Sequence, residues 1–227
     1  MCGRFTLTAT PAEVAQQFGL SEVPLLAPRF NLAPSQSIAT ISSDPQSARR
    51  LCVPRRWGLI PSWAKDPTIG NRMINARVET LAEKPAFRAA LRKRRCLVPA
   101  DGFYEWAAGP GGAKQPHHIA LPGRSCFAIA GLWESWRDPA GASVESCTLL
   151  TTAANPKLRA VHDRMPVILD PSDYALWLAA AVLDDATLQR IARGAPAGRL
   201  ELHRVGRRVN DPRLDDPACL APASAAG

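Results

Sequence analysis

The stretch Gly102-Phe103-Tyr104-Glu105-Trp106 reads as a strand that sets a carboxylate among aromatic side chains. Side chains alternate along a strand, so Phe103 and Glu105 share one face while Tyr104 and Trp106 share the other. A carboxylate set among aromatic rings is costly to bury without a partner, and burial raises its pKa toward the range useful for proton transfer. Two readings of Glu105 stay open at this level: a buried proton carrier, or a glutamate on an edge strand facing water.

The residues around this strand predict a β-rich domain with short helices. After the turn Gly109-Pro110-Gly111-Gly112, residues 117–121, 126–133 and 147–152 are rich in β-branched or aromatic side chains separated by Gly/Pro signals. They read as strands of an antiparallel meander, and residues 200–205 as a last strand. Thr10 followed by Pro11 and Glu13 is a capping box, with Val14, Ala15 and Phe18 on the buried face of a helix that Gly19 ends. Pro85 opens a second helix with Phe87, Ala90 and Leu91 on one side. The run Arg92-Lys93-Arg94-Arg95 complements the dipole at its C-terminal end, which explains these cations without a ligand. Asn155-Pro156 opens a short helical segment. Asp170-Pro171 with Asp173 caps a helix carrying Tyr174, Leu176, Trp177 and Leu178, and residues 185–193 form a final helix stopped by Gly194. The stretch through Pro24, Pro28, Asn31 and Pro34 reads as an ordered loop. No repeat or linker divides the chain, so one domain is expected over residues 1–220, with a disordered tail of small residues at 221–227.

Composition narrows the function. A chain of 227 residues can bury a real core, and no apolar run nears the ~20 residues of a membrane span. The N-terminus lacks a basic-then-apolar leader pattern, so a cytoplasmic location is expected, with no membrane partner. Six cysteines, Cys2, Cys52, Cys96, Cys126, Cys147 and Cys219, are scattered singly. The internal five read as small core residues. Without CxxC or HxxxH spacing, neither a metal nor another cofactor is expected, and His117-His118 is the only imidazole pair. The net charge of +8 suits a polyanionic partner, although the excess of arginine over lysine has a second source in coding bias.

Cys2 carries the most specific chemistry. Once Met1 is trimmed, Cys2 holds a thiol and an α-amine two carbons apart. The amine titrates near ~7.7–8.0 and the thiol near ~8.5, so both are usable at neutral pH. Such a 1,2-aminothiol condenses with an aldehyde and closes a thiazolidine ring. The bland alternative is an accident of translation. Arg55-Arg56-Trp57-Gly58-Leu59-Ile60-Pro61-Ser62-Trp63-Ala64-Lys65 interleaves two tryptophans with three cations. That pattern fits single-stranded nucleic acid, but taken by itself it fits a core strand with one buried tryptophan better. His162 sits between charged neighbours at a strand-to-loop boundary, where catalytic groups are commonly mounted.

Taken together, Met1-Cys2-Gly3-Arg4-Phe5, Asn31-Leu32-Ala33-Pro34, Arg56-Trp57-Gly58-Leu59-Ile60-Pro61, Asn75-Ala76-Arg77-Val78-Glu79-Thr80, Arg95-Cys96-Leu97-Val98-Pro99, Gly102-Phe103-Tyr104-Glu105-Trp106, Ala130-Gly131-Leu132-Trp133 and His162-Asp163-Arg164-Met165-Pro166 resemble the SOS-response-associated peptidase family. The resemblance implies an α+β domain with a barrel-like antiparallel core and peripheral helices. It also implies a protein that binds single-stranded DNA at abasic sites and cross-links to them, which places it in the DNA damage response. A monomer is expected, and loss of a C2′ proton from an imine intermediate makes a lyase side activity expected. Cys2 would be the nucleophile, surrounded by Asn75, Glu105 and His162. Arg4, Arg77 and Arg164 would hold phosphates, and the Trp63 segment would abut unstacked bases. Two other readings remain: a cysteine peptidase that processes its own Met1, and a non-catalytic reader of modified DNA.

Overall fold

The computed structural model describes residues 2–193 and 197–223. Among these residues the chain forms thirteen strands: β1 (Arg4–Leu7), β2 (Arg29–Leu32), β3 (Ser37–Ser43), β4 (Arg50–Trp57), β5 (Asn75–Arg77), β6 (Arg95–Ala100), β7 (Gly102–Ala108), β8 (Lys114–Ala120), β9 (Phe127–Arg137), β10 (Ser143–Ala153), β11 (Arg164–Pro166), β12 (Ile168–Leu169) and β13 (Glu201–Arg204). Four short α-helices accompany them: α1 (Pro11–Phe18), α2 (Pro85–Lys93), α3 (Tyr174–Leu178) and α4 (Asp185–Ile191). Single 3-10 turns fill several of the connections.

The strands build a mixed α+β domain in two sheets. In one, β10, β4, β3, β6 and β9 pair in that order and β9 pairs back to β10, closing a five-stranded barrel. Closure leaves these strands no open edge. The expected antiparallel pairing holds at four seams, whereas β4 and β10 run parallel, with Cys147 beside Trp57. β5 adds a second parallel contact to β10, and β11 and β12 attach to β10 and β9. The other sheet is antiparallel, in the order β13-β8-β7-β1-β2. Phe5 on β1 meets Trp57 on β4 edge-to-face, ring centres 5.2 Å apart, where the two sheets share one core.

Local sequence explains the helices. Thr10 accepts the Glu13 amide, and the Glu13 carboxylate accepts the Thr10 amide at 2.7 Å. Gly19 closes α1 in the left-handed conformation, where its lack of a Cβ avoids strain. Phe18 then stacks on Tyr174 of α3 at 5.5 Å. At the end of α2, Arg95 is buried and donates to the carbonyls of Leu91 and Trp177, both at 2.6 Å, and to those of Ala179 and Ala181. The same side chain thus caps the C-terminal ends of two helices.

Three features depart from expectation. The region read as a loop contains β2 and opens into β3, because Leu32 pairs with Phe5 and the Asp215 carboxylate accepts the amides of Phe30 and Asn31. β8 does not continue into a meander with β9: it pairs with β7 and β13, and the chain changes sheets through the turn Pro122–Arg124. Finally, Pro222 bridges Val205 and the Ala223 amide donates to Arg204, so residues 221–223 lie along β13; residues 224–227 fall outside the described residues. No helix among the described residues is long and apolar enough to cross a membrane.

Candidate active site

The site forms where β1, β5 and β7 converge. β5 runs beside β10, with Asn75 next to Leu149 and Arg77 next to Thr151. From there the Asn75 side-chain amide donates to the Cys2 carbonyl at 2.8 Å. Its other terminal atom, Oδ1, is buried and has no hydrogen-bond partner among the described residues, so it presents an acceptor to whatever enters. Arg4 pairs with Tyr104 across the β1–β7 ladder, and one further step of that register sets Gly3 against Glu105.

Burial dominates the electrostatics. Glu105 is 3% exposed, and burial pushes its carboxyl up to about 7. The positive charge of the chain's amino terminus opposes that rise, and Asp163 adds to it. The Cys2 thiol is fully buried and its pKa is driven well up, first by burial and then by the Glu105 charge. His162 is pulled below its usual value, chiefly by burial and next by the amino-terminal charge, while Asp163 works the other way. The amino-terminal charge thus enters the electrostatics of Cys2, Glu105 and His162 alike, favouring the ionised thiol and carboxylate and the neutral imidazole.

His162 is 28% exposed and is held through Nδ1. The Arg164 amide donates into that atom at 2.9 Å, and the Asp163 carboxylate lies at the same distance. In the neutral ring Nδ1 accepts from Arg164, so the proton sits on Nε2; in the charged ring Nδ1–H turns to Asp163. Taking up a second proton at Nδ1 therefore exchanges the Arg164 amide for the Asp163 carboxylate as its partner.

The cations expected to meet phosphate divide into two kinds. Arg77 is exposed at the end of β5, its side chain hydrogen-bonded to nothing among the described residues. Arg164 instead forks onto Glu79 at 2.6 and 2.9 Å and donates to the Thr151 carbonyl at 2.7 Å. Arg4 donates to Asn31 Oδ1 at 2.9 Å and to the carbonyls of Val209 and Asn210 at 2.6 and 3.3 Å. Both of these guanidiniums are bound within the protein. Trp63 is 59% exposed on the segment after β4, and that segment is pinned: the Trp136 indole N–H donates to the Ala64 carbonyl at 2.7 Å. Trp57, by contrast, is fully buried, so the two tryptophans of the motif separate into core and surface.

Two contributors were not picked out from sequence. Asp163 touches His162 and raises Glu105; its place beside the histidine was the available signal. Asn31 is fully buried and joins Arg4 to the carbonyls of Val209, Asp211 and Leu214, a long-range role that no local pattern carries. Among the described residues no three His, Cys, Asp or Glu side chains are grouped to hold a metal ion. The large groove of about 760 Å³ beside β3 and β4, lined by Leu20, Leu25, Ile38 and Leu51, contains none of Cys2, Asn75, Glu105 or His162.

Residues 1–212 match the family described as SOS response associated peptidase (SRAP). The chain belongs to the SOS response associated peptidase family. It is 43% identical over 223 residues to the abasic site processing protein YoqW of Bacillus subtilis (strain 168), covering 97% of this chain and 99% of that one. It is 33% identical to the abasic site processing protein HMCES of Gallus gallus, over 86% of this chain and 66% of that one. Among solved structures, a SRAP-like fold is shared with a Bacteroides thetaiotaomicron protein at a TM-score of 0.84 and 25% identity, over 98% of this chain and 100% of that one.

Proposed function

We propose that this SRAP chain, after loss of Met1, processes abasic sites in single-stranded DNA by joining Cys2 covalently to the opened sugar, as part of the response to DNA damage. The names of its relatives support the abasic site as the substrate. The observation that carries the reading is Cys2 tethered by Asn75 beside a buried carboxyl whose pKa is about 7.

An abasic deoxyribose opens to an aldehyde. The neutral Cys2 amine attacks C1′, and the carbinolamine loses water to give an imine. The thiol S–H then adds across C=N, forming the C–S bond and returning a proton to nitrogen, so one water leaves overall. Ring opening and dehydration both need proton transfer, assigned to His162 at the sugar ring oxygen and to Glu105 at the amine. Such groups are each worth ~10²–10⁴-fold when well placed. Asn75 fixes the backbone of Cys2 and offers Oδ1 to the amine or the sugar hydroxyl. If the imine instead loses a C2′ proton, β-elimination breaks the strand, and a lyase side activity is expected. Arg77, Arg164 and Arg4 supply positive charge, and the exposed Trp63 ring offers a surface for an unstacked base.

The peptidase reading shares these residues, with the Cys2 thiolate attacking a peptide carbonyl. The raised thiol pKa favours the amine as first nucleophile, since the protonated thiol is a weak acyl acceptor. Peptide chemistry then fits best as self-removal of Met1. The deciding experiment incubates the purified chain with single-stranded DNA carrying one abasic site and runs a denaturing gel. A heat-stable adduct is expected, lost in Cys2→Ala and in a chain with an extended N-terminus. Adduct surviving either change overturns the aminothiol assignment; salt-sensitive binding with no covalent product leaves a reader.

A further inference from the structure

The cations of residues 84–95 are not equivalent. Arg94 pairs with Glu134 at 2.6 Å and Arg95 is enclosed by backbone carbonyls. Lys84, Arg88, Arg92 and Lys93 are exposed, and among the described residues none of their side chains makes a hydrogen bond or ion pair. Lys84, Arg88 and Arg92 recur every fourth residue, which puts them on one face of α2, while Ala90 is buried on the opposite side and the half-buried Phe87 and Leu91 lie along one flank between them. Successive cations on that face are ~6 Å apart along the axis. Helix capping explains Arg92 and Lys93 at the last turn, but not Lys84 at the first, where the dipole disfavours a cation.

Register places the end of α2 relative to the site. On β10, Thr151 stands beside Arg77 and Cys147 beside Trp133, so ~13 Å of strand separates those two levels. Leaving Arg77, the chain makes a tight turn, with the Leu81 amide on the Val78 carbonyl and the Lys84 amide on that of Thr80, and α2 begins. It ends at Arg94, whose carbonyl accepts the Trp133 amide at 2.9 Å. Nine helical residues span ~13 Å, the same interval. The helix therefore begins a short turn after Arg77 and ends level with Trp133, an interval equal to its own length, and its exposed cations follow Arg77 along the chain.

We infer that this face of α2 carries the DNA strand flanking the lesion, as a track of phosphate contacts running from Arg77 through Lys84 and Arg88 to Arg92. The inference rests on the abasic-site reading for its substrate, and on charge complementarity for its surface: a strand backbone is a row of anions, and Glu83 is the only acidic side chain from Lys84's neighbour to Lys93. It adds a length requirement to the proposed function. A strand long enough to leave the site should bind more tightly than a short one.

The test compares the full chain with R88E/R92E on intact single strands of about 5 and about 20 nucleotides, by fluorescence anisotropy over a salt series, bracketing the footprint of one single-strand-binding domain. Wild type should favour the long strand. R88E/R92E should lose that preference, weaken on the long strand by at least about tenfold, and flatten the log–log salt slope by ~1–2. The control R193E/R199E, which changes net charge equally, should keep it. Both variants should form adduct on a short abasic oligonucleotide at the wild-type rate. The inference is overturned if R88E/R92E retains wild-type affinity for the long strand, if the control loses as much, or if short and long strands weaken alike. Should R88E/R92E melt early, R88Q/R92Q replaces it with the same expected order of affinities. Absence of adduct with wild type on either oligonucleotide would defeat the abasic-site reading while leaving the anisotropy comparison to judge α2.

Discussion

Two buried carboxylates lie four residues apart, around the start of β7, and they are built for opposite ends. Asp101 is nearly sealed from solvent and accepts from four donors: the Thr6 hydroxyl and Thr8 amide at 2.5 Å, the Thr8 hydroxyl at 2.6 Å and the Ala9 amide at 3.0 Å. Thr6 also lies 3.3 Å from His118 Nε2, and a Cβ on Gly102 would sit 2.1 Å from that same nitrogen, so glycine is required there. This cluster ties the end of β1 to the β6–β7 corner. Glu105 is equally buried, yet burial raises its pKa to about 7, beside a cysteine and the amino terminus. A carboxylate ringed by donors holds a fold together; one held near neutrality at a crowded terminus is equipped to trade protons.

Replacing each carboxylate by its amide separates the two roles. Glu105→Gln should slow adduct formation by ~10²–10⁴-fold in single-turnover gels, with folding intact. Because the native carboxyl titrates near 7 and the unfolded one at 4.5, its contribution to stability is fully present below 4.5 and lost as pH rises through 7. Glu105→Gln should therefore melt higher than wild type at pH 8, by at most ~3 kcal/mol. Asp101→Asn should do the reverse. It sets an NH₂ against either the Thr6 hydroxyl or the three donors of Thr8 and Ala9, costs ~2–4 kcal/mol by chemical denaturation, and leaves the rate per folded molecule within a few-fold of wild type. A slow, stable Asp101→Asn protein would erase the distinction.

The histidines repeat the contrast through pH. His118 is fully buried, and burial pushes its pKa down to about 3. A base depressed in the folded state contributes stability above its unfolded value of 6.5 and loses it as pH falls through the folded value. Melting temperatures should thus drop between pH 6.5 and 4, and the drop should shrink in His118→Gln. Glu105 acts in the opposite direction over much of this range, so the Glu105→Gln variant should show the acid loss more steeply than wild type.

How far these roles could be read from sequence depends on the range of the interaction. The alternation around Glu105, the Thr10–Glu13 capping box and the break at Pro85 are local, and the structure contains each of them. What lay beyond reach was set by distant chain. β2 depends on Asp215 sealing the Phe30 and Asn31 amides, and β8 joins β13 from across the sequence. The parallel β4–β10 seam rests on residues 90 positions apart, Arg56 and Ser146. For the site, the resemblance supplied Cys2, Asn75, Glu105 and His162 as a set. Composition alone supplied only an aminothiol, a carboxylate among aromatics and a histidine between charges. The inward bonding of Arg4 and Arg164 is likewise non-local: their acceptors are Asn31, Val209, Glu79 and Thr151.

That inward bonding gives the smallest and most discriminating expectation. Arg164 is 12% exposed and Glu79 44%, so their fork is a half-surface ion pair worth no more than about 1 kcal/mol. Glu79 also lies within electrostatic reach of Arg77, so its charge works against both cations that face the proposed strand. Glu79→Gln should leave the melting temperature almost unchanged while tightening binding to intact single-stranded DNA by about two- to fivefold at low salt, the gain fading as salt rises. Arg164 would then be a phosphate ligand restrained by its own neighbour. If Glu79→Gln instead weakens DNA binding, the fork is what aims Arg164 and the backbone amide that holds His162, and the two kinds of arginine in this site collapse into one positioning device.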